Sequence, residues 1–223
     1  MSGLLLNLLP VAAAVALSPI PIIAIVLVLG TPSARRTGPA FALGWVLGLT
    51  AVSLVVVFVL GGASNPASDT AHAVSWGKVA IGVLFLTMAA RQWRKRPAPG
   101  EETEMPKWMA SVDSLTPGRG FVLGAALSGA NPKNFALTLA AAATIAQAGV
   151  SDAEELIAIA GFVVLGSITV AGSVLFYVVD ADRAARPLES VKAFMSKHNA
   201  LIMSIVLLVL GIKVLVDGIR GPR

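Results

Sequence analysis

The chain contains no cysteine, one tyrosine and two histidines, and only 13% of its 223 residues are charged. Without cysteine there is no disulfide, no thiolate metal site and no thiol-relay chemistry. A composition that is 56% hydrophobic, with a mean hydropathy of +0.82, leaves too little polar surface to cover a soluble fold. Also missing is any acidic residue deep inside an apolar run. His72 and His198 stand at run ends, far apart in sequence. No metal cluster, catalytic triad or acid pair is therefore available, and an enzyme is the least favoured class. No cofactor is expected.

Several apolar runs do reach the ~20 residues needed to cross a hydrocarbon core. Spans are expected at 3–29, 37–60, 74–92, 119–148, 154–179 and 198–218. The runs are too long for barrel strands, so the fold class is an all-α integral membrane protein with six transmembrane helices. The whole chain, 1–223, reads as one membrane domain. Its first run lacks a basic leader and continues to Leu29, so it is expected to be a retained span and not a signal peptide. Between 93 and 118 lies a loop in which Trp108, Met109, Val112 and Leu115 recur at helical spacing. Over 106–115 this suggests an interfacial helix, against the alternative of an ordered loop with a boundary tryptophan. Pro187 is expected to open a second surface helix over 187–197.

Arg35, Arg36, Arg91, Arg94, Lys95, Arg96, Lys107, Arg119, Arg183, Arg186, Lys192 and Lys197 all fall on one face of this topology. Lys78, Lys213, Arg220 and Arg223 fall on the other. Twelve against four places the first set in the cytoplasm and both termini outside, in a bacterial inner membrane. This basic excess points to contact with a lipid surface and not to nucleic acid.

The two halves echo each other. Ala16-Leu17-Ser18-Pro19-Ile20-Pro21 in span one matches Ala126-Leu127-Ser128-Gly129-Ala130-Asn131-Pro132 in span four. Gly44 and Gly48 in span two correspond to Gly161 and Gly166 in span five, and Gly82 in span three to Gly211 in span six. Three spans per half give inverted repeats, 1–92 and 119–223, a plan common in secondary transporters. The Gly44/Gly48 face reads as helix packing.

Helices 1 and 4 are expected to be broken at these proline motifs. Pro19, Pro21 and Pro132 remove backbone donors, and Gly129 weakens the helix before Pro132. Open backbone at membrane depth must face protein or a wet cavity, so the two breaks should meet. Lys133 sits at the second break, where a lysine costs roughly 2.5–3.5 kcal/mol on insertion scales. The expected substrate-binding or gating set is Ser18, Pro19, Pro21, Ser128, Asn131, Pro132, Lys133 and Asn134. Ser18, Asn131, Asn134 and freed carbonyls are candidates to solvate the ammonium, with Ser18 also a candidate cap. A structural strut is the alternative role for Lys133. Lys78 and the Lys213–Asp217 pair read as separate interfacial groups, and Glu154 and Glu155 as acids opening span five.

The segment from Lys107 through Trp108, Asp113, Pro117 and Arg119, followed by Leu127-Ser128-Gly129-Ala130-Asn131-Pro132-Lys133-Asn134, resembles the glycolipid-addressing (sulfolipid-addressing) family of the lysine-exporter superfamily. The Ser18-Pro19-Ile20-Pro21 segment is similar to that family's first-helix motif. The resemblance implies a six-helix inner-membrane transporter that moves a cell-envelope glycolipid or related amphiphile by alternating access. It also implies work beside lipid synthases or large lipid exporters, reached through loop 93–118. Two other functions stay open: export of a small hydrophilic solute such as an amino acid, and a non-transporting scaffold. The sequence admits a homo-oligomer without specifying one.

Overall fold

In the computed structural model the described residues are 2–60, 69–94, 112 and 114–220. They form helices α1 (Ser2–Ala16), α2 (Pro19–Leu29), α3 (Ala34–Leu60), α4 (Asp69–Arg94), α5 (Pro117–Ala125), α6 (Pro132–Ala146), α7 (Asp152–Val179) and α8 (Ala181–Arg220). A π-helical turn, Ala126–Ala130, joins α5 to α6, and no strand occurs among the described residues. By length and composition α3, α7 and α8 are able to cross a membrane, and α1 with α2 makes a fourth candidate span bent by 52°. Large side chains such as Phe58, Val59, Val164, Leu175 and Val209 are exposed along these helices. An apolar surface this extensive is stable only against lipid or another apolar partner. The molecule is an all-helical membrane protein.

Local chemistry explains the boundaries. Ser151 and Glu154 form a reciprocal capping box at the start of α7, so Glu154 caps the helix as its position suggests. Asp180 ends α7, and its Oδ1 accepts the Arg183 N–H at 3.0 Å, so the same residue caps α8. The separate surface helix expected over 187–197 does not form. Pro187 lies inside one continuous 40-residue helix. It forfeits one backbone bond to Arg183, but Ala184 and Leu188 beside it are buried, and that packing holds the helix through the proline. Most of the expected interfacial helix at 106–115, and the loop around it, lie outside the described residues. Val112 is itself buried within the core cluster.

The centre of the bundle is α3, whose Phe41, Trp45 and Leu49 are fully buried at helical spacing. It packs against α5, the π turn, α6 and α7, while α4 lies along α8 and α1 along α7. The α3–α5 seam is made by glycines from both helices. A Cβ on Gly44 would strike the Phe121 carbonyl, and one on Gly124 would strike the Phe41 carbonyl. Gly48 faces the Ser128 hydroxyl, and Gly120 faces Thr37. The packing face read from Gly44 and Gly48 is thus present, matched by a Gly120/Gly124 face that was not anticipated. The α4–α8 seam is similar: a Cβ on Gly82 would lie 2.7 Å from the Leu215 backbone nitrogen, and one on Gly218 2.7 Å from that of Val79. A Cβ on Gly161 would lie 3.3 Å from the Leu5 side chain and one on Gly166 3.3 Å from that of Val15, tight approaches that involve side chains and not main chain.

Candidate functional site

Both expected breaks are present, and they differ in kind. At the first, Pro19 cannot donate to Val15 O, so Ser18 N turns to that carbonyl at 3.2 Å. Ala14 O is left outside the helical ladder, one of the orphan carbonyls of a helix end. Ala16 O is taken by the Thr169 hydroxyl of α7 at 2.6 Å. Pro19 and Pro21 are buried and act through the backbone they disrupt. Ser18 stands at the N-cap of α2 without capping it. Pro21 at the third helical position has no N–H to offer, and the Ser18 hydroxyl is turned instead towards Asn134 and Lys133.

At the second break Pro132 cannot donate to Ser128 O. The chain widens into the π turn, with Asn131 N bonding Ala126 O at 2.9 Å. Inserted π turns of this kind frequently mark functional sites. Asn131 then caps α6, its Oδ1 accepting the Lys133 N–H at 3.0 Å, with Pro132 in the first helical position that suits it. Asn134 donates to Leu127 O at 2.9 Å, satisfying a carbonyl of the widened turn.

The two breaks meet through three side chains. Lys133 is 5% exposed, Ser18 2% and Asn134 0%. The Lys133 ammonium donates to Ala14 O at 2.9 Å and to Ser18 Oγ at 2.6 Å. The single Ser18 proton has Asn134 Oδ1 at 2.9 Å and Ala14 O at 3.2 Å as acceptors. A cation from the second half is therefore held by a carbonyl and a hydroxyl from the first. Among the described residues three ion pairs occur, Arg183–Asp180, Lys192–Glu189 and Lys213–Asp217, and none includes Lys133. No group of His, Asp and Glu suited to a metal ion occurs there either.

Two side chains expected to solvate the ammonium, Asn131 and Asn134, do not touch it, and Pro132 and Ser128 of the expected binding or gating set stand apart from it. Asn131 is spent on the helix cap, and Asn134 supports Ser18. Pro132 is exposed, so that side of the second break does not face the first. Ser128 is fully buried, but its hydroxyl bonds Ala125 O at 3.1 Å, beside Gly48. Sequence reasoning missed Ala14 and Thr169. Ala14 contributes only its main chain, so no side-chain signal exists for it. Thr169 carries a weak one, as a hydroxyl well inside an apolar helix.

Ser18→Ala removes one ammonium acceptor and strips Asn134 Oδ1 of its donor. Leaving buried polar atoms unmatched costs about 1–3 kcal/mol. The expected outcome is a lower thermal midpoint in detergent, with Ser18→Thr recovering most of the loss; an unchanged midpoint in Ser18→Ala would show that the serine does not hold the lysine.

A cleft of about 420 Å³ opens beside the second break, lined by Val112, Leu115, Val122, Leu123 and Ala126, with Arg119 as its charged member. Ala126 is also the first residue of the π turn, so this apolar recess reaches the broken segment.

Compared with known proteins, the chain matches the family model described as Sap, sulfolipid-1-addressing protein, over residues 8–220. Neither the curated proteins nor the solved structures compared with it include a match. The matched stretch takes in both breaks, Lys133 and every described helix apart from the first residues of α1. The chain belongs to the sulfolipid-1-addressing protein family, a membrane family linked to lipid export or addressing.

Proposed function

We propose that this protein transports a cell-envelope glycolipid or related amphiphile across the bacterial inner membrane by alternating access. The observation that carries the reading is the buried Lys133 ammonium, held by Ala14 O and Ser18 Oγ of the opposite half with no carboxylate partner among the described residues. Ionisable groups inside a membrane are functional by default, and a cation solvated only by neutral oxygens keeps attraction for an anionic or strongly polar head group. In this reading α4 and the α5–α6 pair complete a set of six spans, as inverted repeats α1–α4 and α5–α8. Supporting that symmetry, exchanging the halves turns the α3–α5 packing into the α7–α1 packing and returns the α4–α8 pair to itself. Both termini then lie outside, and basic loop 93–118 is the cytoplasmic surface offered to lipid synthases or exporters.

The apolar cleft ending at Ala126 favours an amphiphile over a small hydrophilic solute, because its lining offers an acyl chain contact and one charge. The test is lipidomics of the outer envelope in a deletion strain, complemented with wild type or with Lys133→Gln. Restored surface lipid in the Lys133→Gln strain would remove the lysine from the mechanism. An unchanged lipid profile on deletion would remove the transport reading.

A further inference from the structure

A second polar cluster lies at the opposite end of α6 from Lys133. Lys78 of α4 donates to Oε1 of Gln147, the residue that ends α6. On α8 the Lys213 ammonium holds Asp217 at 2.7 Å. The sequence suggested independent interfacial groups; the fold instead places Lys78, Lys213, Asp217 and Thr144 around one recess. Helix positions alone do not reveal that α4, α6 and α8 converge there.

Charge and hydrogen-bonding capacity in this cluster are unbalanced in the same direction. Two ammonium groups, with three donors each, face one carboxylate. Against these, the Thr144 hydroxyl gives its proton to Ala140 O at 2.8 Å and so offers the recess a single neutral acceptor. Gln147 Nε2, beside the Lys78 contact, is a buried donor without a partner among the described residues. The recess holds about 10 Å³, close to one water-sized sphere. That volume suits one oxygen atom and is too small for an entire tetrahedral group. We propose that this recess binds one oxygen of a phosphate group between Lys78 and Lys213, with the remainder of the group projecting outward through its open side. Lysines bind phosphate as point charges, and Asp217, which holds Lys213 when phosphate is absent, competes with it. A phospholipid head group and free phosphate present the same oxygen. The site does not depend on Lys133 carrying substrate.

The purified protein in detergent is titrated with inorganic phosphate at constant ionic strength, and separately with phosphatidylglycerol or with diacylglycerol, which lacks the phosphate. The readout is the thermal midpoint. Phosphate, phosphatidylglycerol or both should raise it, and diacylglycerol should not. A response to phosphatidylglycerol alone identifies a lipid source, and a response to phosphate alone a soluble one. Lys78→Gln and Lys213→Gln should each raise the half-saturating concentration at least about tenfold, the equivalent of ~1.4 kcal/mol. Asp217→Asn should lower it several-fold. No response from either phosphate compound in the wild type, an unaltered response in both lysine variants, or weaker binding by Asp217→Asn would each overturn the proposal; the last also decides the matter if the lysine variants do not fold.

Discussion

Lys133→Gln is expected to abolish lipid export in complemented cells while the protein remains in the membrane at wild-type abundance. Lys133→Met should do the same and leave the purified protein at least as thermally stable as wild type. The two expectations separate function from scaffolding. A charge-assisted hydrogen bond is worth about 1.5–3 kcal/mol, so losing it from a bound head group lowers affinity roughly tenfold to a hundredfold. Removing the ammonium leaves the single Ser18 proton to serve either Asn134 Oδ1 or Ala14 O, so at most one buried acceptor loses its donor. The protein is also relieved of burying a charge. A strut predicts the reverse pairing: Lys133→Met would drop the thermal midpoint by several degrees, and export would fall only in proportion to the protein lost. Export measured per folded molecule distinguishes the two.

Gly124→Leu should prevent recovery of folded, monodisperse protein, and Gly44→Leu should do likewise. At both positions the first side-chain carbon meets main-chain atoms of the facing helix, Phe41 O for Gly124 and Phe121 O for Gly44. Overpacking a core ordinarily costs about 1–3 kcal/mol because side chains yield. Backbone cannot swing aside, so helices α3 and α5 must separate, exposing Phe41 and Trp45, both fully buried in the native bundle. Gly172→Leu is the control: nothing lies within 4 Å of its Cβ position, and size-exclusion profile and thermal midpoint should match wild type. Normal behaviour of Gly124→Leu would mean that the α3–α5 seam is looser than described.

The sequence was most informative where a residue is costly in lipid. Lys133, Pro19, Pro21 and Pro132 are conspicuous in apolar runs, and both helices break at them. What a break does with its freed groups was much less legible. Pro132 produces a π turn and not an open gap, because Asn131 and Asn134 are placed to satisfy the displaced backbone. Ser18 was foreseen as a partner of the ammonium, and its hydroxyl is engaged there in place of the cap it was also suited to make. Ala14 could not be foreseen, since any residue supplies the same carbonyl. Lys78 and Lys213 looked separate for a different reason: periodicity gives the face of a helix on which a residue lies, but not the neighbour that face meets. Gly120 and Gly124 were hidden in a segment that reads as the entrance to a span, although their four-residue spacing carries the same packing signal as Gly44 and Gly48.

The glycine seams constrain how such a molecule can move. Each tight pair, α3 with α5 and α4 with α8, joins one helix from the first half of the chain to one from the second. Backbones at this separation slide or part only by losing their whole contact, so neither half is free to tilt as a block against the other, the motion often found in duplicated carriers. Cysteines introduced across the α3–α5 seam and oxidised to a disulfide should leave transport intact; a block by that staple would place the sliding surface there. Under the alternating-access mechanism proposed above, the moving bodies would be hybrids, each carrying helices from both halves of the chain, and the line along which they swing would cut across the halves instead of running between them.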